Sequence, residues 1–248
     1  MYKSSPKSSS PKSSSPKNSS RESSSPENSS PETPRTKGQE TRERIFQRAL
    51  EYFNENGIEY VGIRELAREL GLSPGNVSYY FPTKEDLVIE ISKRLSTGNT
   101  QLFHQVTEDV SIQSFMQLFL TAFTNLWNYR CLFTSFVHIM KHYPSLGERY
   151  RELQQKRRAD LAHDLEELSR LGYLKRSLTK EEIGQLVMTI AYQARFWVQE
   201  AEVLMHDVPR EKVVAHHVGL IAGLLLPYST AKGRQHLEVY SKGILRKF

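Results

Sequence analysis

The stretch from Val61 to Ile91, VGIRELARELGLSPGNVSYYFPTKEDLVIEI, leaves this chain few ways to fold. Ile63, Leu66, Ala67 and Leu70 recur at helical spacing, which predicts a helix over 62–69 with one apolar stripe. Gly71 then supplies a turn, because glycine accepts a positive φ at a helix end. Ser73 is a strong N-cap and Pro74 suits the first helical position, so a second short helix starts there. Pro82 disfavours helix in the residue before it, which stops that helix at Phe81. Thr83 caps a third helix, with Asp86 three residues on as a short version of the capping box. Helix, glycine turn and short polar helix make the layout of a helix-turn-helix, whose second helix enters the DNA major groove. Gly75, Asn76 and Ser78 suit an exposed face pressed against bases, while Val77 and Tyr80 hold the other face on the core. Spacing alone also fits an ordinary helical hairpin.

The wording of the stretch separates the two. From Thr41 to Leu87, about 47 residues, the chain resembles the N-terminal domain of TetR-family transcriptional regulators. The matching positions are Ile45 and Ala49 in the first helix, Phe53 and Gly57 at its end, Leu66-Ala67 in the second and Gly71-Leu72-Ser73 at the turn. Tyr79-Tyr80-Phe81 with Lys84-Glu85-Asp86-Leu87 closes the pattern. Where Gly62 stands the family usually has Thr. Glycine caps a helix a few tenths of a kcal/mol less well, and it loses a hydroxyl contact to phosphate. The resemblance implies double-stranded DNA carrying a palindromic operator as the partner. It also implies a helical second domain that binds an inducing ligand and forms a homodimer through its last long helices. Gly75, Asn76 and Ser78 are then expected at base edges, since Asn pairs with adenine and Gly permits close approach. Tyr79, Lys84, Arg44 and Arg64, with the amides at the start of the recognition helix, are expected on phosphates. Ser73 and Tyr80 complete the expected DNA-binding set.

Charge tests this expectation. The net +6 divides unevenly: residues 38–90, the expected DNA-binding domain, hold six Lys/Arg against ten Asp/Glu, a net of −4. Net charge alone therefore opposes DNA binding, and local placement has to supply it. Arg42, Arg44, Arg64 and Lys84 stand where phosphates would lie, and Glu51, Glu55 and Glu59 are expected to face away. Acidic backs of this kind weaken non-specific binding. The −4 and Gly62 also keep open an alternative: a helical ligand-binding or protein-interaction protein that has lost specific DNA binding.

Residues 1–37 repeat a loose five-residue unit, PKSSS, PKSSS, PKNSS, RESSS, PENSS, with no aliphatic residue after Met1. No core can offset the ordering entropy there, so a disordered tail is expected. Residues 1–21 carry five positive charges and no negative ones, which fits a basic arm on DNA or a solvated spacer. The start has no hydrophobic segment behind its charges, so it does not read as a signal peptide. The single cysteine, Cys131, excludes an intrachain disulfide and fits a reducing cytoplasm, and its apolar surroundings predict a buried thiol. No apolar run approaches 18 residues, so no membrane span is expected.

Beyond Thr83 the pattern is helical throughout, and the fold class expected is all-α, with 38–82 as the DNA-binding domain and 83–248 as the effector-binding and dimerisation domain. Helices are expected over 83–106, 111–128, 131–143, 145–171, 179–205, 209–227 and 229–245, with Thr41 capping the first helix of the chain. The helix at 111–128 is apolar on more than one side and is expected at the centre. Val213, Val214, His217, Leu220, Ile221, Leu224 and Leu225, with Gly219 and Gly223, form either a dimer face or part of the core. Phe123, Trp127, Phe136, Met140 and Tyr192 are candidates to line a pocket for a small hydrophobic effector, though aromatic stripes at helical spacing also build cores. His138 and His142 have the i, i+4 spacing of metal ligands but no third ligand is evident. No phosphate loop or nucleophile elbow occurs; neither a cofactor nor catalysis is expected.

Overall fold

The computed structural model describes residues 36–106 and 110–247. The expected disordered tail, apart from its last two residues, falls outside the described residues. Eleven α-helices and one 3₁₀ turn account for the described elements, and no strand occurs among them. They are α1 (Lys37–Asn56), α2 (Ile63–Glu69), α3 (Pro74–Tyr80), α4 (Lys84–Val106), α5 (Ile112–Asn128) and α6 (Cys131–Thr134). α7 (Phe136–His142), α8 (Pro144–Arg170), α9 (Lys180–Leu204), α10 (Arg210–Leu225) and α11 (Ala231–Lys247) follow.

Local chemistry sets most boundaries. Thr36, not Thr41, caps α1: its side chain accepts from the Gln39 amide, and Gln39 Oε1 accepts from the Thr36 amide at 2.8 Å. Thr41 lies inside the helix and spends its hydroxyl on the Lys37 carbonyl. The same reciprocal box opens α5 at Ser111 and Ser114, and α9 at Thr179 and Glu182. Gly71 sits at φ +64, the left-handed conformation that ends α2 at little cost.

The expected helix over 131–143 is two pieces. Ser135 breaks it, with φ −92 and ψ 18, and is itself 2 % exposed. Its hydroxyl accepts the amide of buried Ile58 at 3.0 Å and donates to Glu59, in the α1–α2 connection. A tertiary hydrogen bond thus outweighs local helix preference here. Beside it, Asn54 brackets the α5–α6 junction, donating to Asn128 O and accepting from Cys131 N, both at 2.9 Å.

α5 is central, as its apolar girth predicts: Phe115, Met116, Phe119, Phe123 and Leu126 are buried, and α4, α9, α10 and α11 pack round it. The thiol of Cys131 is fully buried, and burial pushes its pKa up to about 12, which makes it unreactive. Val213, Val214, His217, Ile221 and Leu225 of α10 are buried within the chain. The broad face expected of that helix is therefore mostly core. Gly219, Leu220 and Gly223 of α10, and Tyr192 and Phe196 of α9, are among the residues that stay exposed.

Candidate DNA-binding face and ligand cavity

α3 shows a polar face to solvent. Ser73 Oγ accepts the Asn76 amide at 3.2 Å, and Pro74 occupies the first turn. Val77 is fully buried and anchors the helix, while Gly75, Asn76 and Tyr79 are exposed, Tyr79 at 80 %. Ser78 and Tyr80 are half-buried, and the Tyr79 and Tyr80 rings meet edge-to-face at 5.0 Å. No Cβ contact lies within 4 Å of Gly75, so its space is open to an approaching backbone.

The basic residues fall into two groups. Arg44 and Arg64 are exposed and join no ion pair among the described residues. Arg42 and Lys84 are engaged. Arg42 bonds Glu90 at 3.3 Å and lies over the Phe81 ring, while the Lys84 ammonium donates to the Glu59 carbonyl at 3.5 Å. Partial burial pulls the Lys84 pKa down, against the raising effect of Glu59. Arg94 completes a lattice between α1 and α4, pairing with Glu43 at 2.8 Å and Glu90 at 3.0 Å above the Phe46 ring. Burial pushes the Glu90 carboxyl up, but the hydrogen bonds from Arg42 and Arg94 outweigh it and hold it below its ordinary value. The excess acid is thus largely consumed: Glu51 and Glu69 bind Arg48, and Glu59 turns to Ser135.

A cavity of about 370 Å³ opens between α4, α6, α7 and α8. Leu95, Leu132, Phe136, Ile139, Met140 and Leu146 form its apolar wall. A smaller space of about 90 Å³ adjoins it, sharing Phe133, Tyr150, Gln154 and Arg157 and reaching Phe123 and Arg195. Of the sequence candidates, Phe136 and Met140 line the first space and Phe123 the second. Trp127 and Tyr192 line neither. Trp127 stacks on Trp197 at 5.8 Å, and Tyr192 is 51 % exposed. Sequence reasoning missed the polar wall of Arg149, Tyr150, Arg157 and Arg158 on α8, which reads as a solvated, charge-rich helix, and Arg195 on α9, which reads as a solvated charge. The signal available was Tyr150 and Arg157, seven residues apart and so on one face of α8.

Fold and face together define a helix-turn-helix protein with a helical, cavity-bearing second half. The chain belongs to the TetR family of bacterial transcriptional regulators, which are not enzymes. The model of the family's N-terminal domain matches residues 45–91. That of the bacterial transcriptional repressor domain matches residues 95–237, more than half of the chain. The boundary between the two falls inside continuous α4. An HTH-type transcriptional regulator of Staphylococcus aureus is 37 % identical over 71 residues, 28 % of this chain and 38 % of that protein. The chain thus spans well under half the length of such a relative. A TetR-family regulator from Marinobacter aquaeolei superposes with a TM-score of 0.73 at 21 % identity, covering 82 % of this chain and 98 % of that one. A gamma-butyrolactone receptor superposes at 0.64 with 15 % identity, over 86 % of this chain and all of its own.

Proposed function

We propose that the protein is a homodimeric repressor that reads a palindromic operator and is released by a small effector with an apolar body. The observation that carries this reading is the position of the cavity. Its wall includes Ser92, Leu95 and Ser96 of α4, the helix that leaves the helix-turn-helix. It also includes Leu132 and Phe133 of α6, whose flanking Cys131 amide and Ser135 hydroxyl bond the head through Asn54 and Ile58. A ligand filling this space touches both supports of the head, so it can bind two head positions with different affinity, the condition for a switch.

One short recognition helix reads few bases, so two heads about 34 Å apart are required to grip successive major grooves. Exposed Tyr192 and Phe196 on α9, with Leu220 between Gly219 and Gly223 on α10, are an apolar surface suited to a second copy. Ligand binding by the gamma-butyrolactone receptor agrees with an effector in this fold. Asn76, Gly75 and Ser78 would meet base edges, with Ser73, Tyr79, Tyr80, Arg44, Arg64 and Lys84 on phosphates, Lys84 after leaving the Glu59 carbonyl.

The test is selection from random duplexes by the full-length protein at two salt concentrations. A palindrome with half-sites one helical turn apart is expected. Salt-sensitive, sequence-blind binding would refute the reading, and no binding at all would favour a protein that has lost specific DNA recognition, as the −4 charge of residues 38–90 permits.

A further inference from the structure

The walls of the two adjoining spaces are mixed in chemistry and lopsided in charge. Among the described residues, Arg149, Lys156, Arg157, Arg158 and Arg195 line them, against Glu152 as the one carboxylate. Among the described residues, three arginines and no acid line the smaller space. Arg149, Arg158 and Arg195 have no ion-pair partner among the described residues. Arg158 spends its donors on the Gln154 carbonyl at 3.3 Å and the Met188 sulfur at 3.7 Å. The Nε of Arg195 is shielded from solvent without a hydrogen-bond partner, and its guanidinium lies 5.6 Å from the Tyr150 ring centre. Burial pulls the Arg157 pKa down, and Tyr150 and Asp160 counter it. Gathering like charges beside an apolar wall costs stability unless something of opposite charge is bound.

We infer that the effector is an amphipathic oxyanion, a carboxylate or phosphate head on an apolar chain. Its head lies against Arg157, Arg195 and Tyr150, and its chain runs into the pocket of Leu95, Phe136, Ile139 and Met140. Guanidinium forks match carboxylate and phosphate oxygens two at a time, which gives such a head direction as well as attraction. This assignment rests on the proposed effector role of the cavity but is tested apart from it.

Binding of n-alkyl carboxylates, phosphates, alcohols and amines, hexyl to dodecyl, is measured calorimetrically on the full-length protein. Carboxylates or phosphates are expected to bind at least tenfold more tightly than the alcohol of equal length, with amines weakest. Which of the two anions binds better separates a fatty-acid-like from a phosphate-bearing ligand. Arg157→Met and Arg195→Met, each checked for an unchanged melting profile, should bring anion and alcohol within about threefold of each other. Equal affinity for alcohol and anion in the unchanged protein overturns the inference, as does binding of none of the probes or a preference that survives both substitutions. Release of the selected operator is read separately by fluorescence anisotropy. Arginine-dependent anion binding without release leaves this site standing and refutes the effector role; release by alcohols as readily as by anions does the reverse.

Discussion

Replacing Ser135 by alanine removes one oxygen that joins the two halves of the molecule. That oxygen accepts the Ile58 amide and donates to Glu59, at a position 2 % exposed, and Ile58 is fully buried. Stranding a buried N–H costs about 1–3 kcal/mol, and losing a hydrogen bond to a charged group costs about 1.5–3. Glu59 is only half-buried and regains part of its share from water, so the expected total is about 2–4 kcal/mol. Urea unfolding at fixed protein concentration measures it, since the apparent stability of the proposed dimer would depend on concentration. Glu59→Gln and the double variant complete a cycle, in which a coupling of about 1 kcal/mol or more is expected for residues in direct contact. A loss below about 0.5 kcal/mol, the range of ordinary surface substitutions, would refute the account, because the Ile58 amide would then have another partner. The same variant should blunt the ligand's effect on DNA affinity more than it lowers that affinity itself.

Other expectations follow from single groups. Asn76→Ala should weaken operator binding by roughly 1–3 kcal/mol, about 5- to 150-fold, and relax base choice at one position per half-site; equal affinity on every duplex would remove Asn76 from the reading face. His217 is 5 % exposed beside Trp197, and burial, then nearby His216, hold its pKa down to about 4. Between pH 6.5 and 4 the unfolded chain binds a proton that the folded one refuses, so acid costs stability, up to about 3 kcal/mol from this residue. His217→Phe should lose less stability than the unchanged protein between pH 7 and 4.5; an equal loss in both would discount the residue. Gly233→Ala should lower the melting temperature despite alanine's helix preference of about 1 kcal/mol, because its Cβ would collide with the Tyr173 carbonyl. A more stable variant would show that this contact yields.

The reading head was legible because its signals are local. Gly71, Ser73, Pro74 and Pro82 act on their own backbone or that of near neighbours, so their spacing alone set the turn, the recognition helix and its end. The all-α class and the central place of α5 were legible from apolar periodicity for the same reason. The choice of Thr36 over Thr41 as the first cap was a local contest between two hydroxyl residues, and the Gln39 amide decided it.

What lay beyond the sequence was decided by groups far apart in it. Ser135 breaks a helix for the sake of an amide 77 residues away, and Arg42 and Lys84 leave the free cationic set because Glu90 and the Glu59 carbonyl reach them. Which face of α10 is core depended on where α5 packs against it; which aromatic residues line a cavity depended on where α4 and α8 part. Arg157 of α8 and Arg195 of α9 look like solvated charges in the chain, and only the packing of those two helices brings them to one cavity. Local sequence fixes the conformation of a few residues at a time, whereas burial and charge belong to whatever the folded chain places next to them.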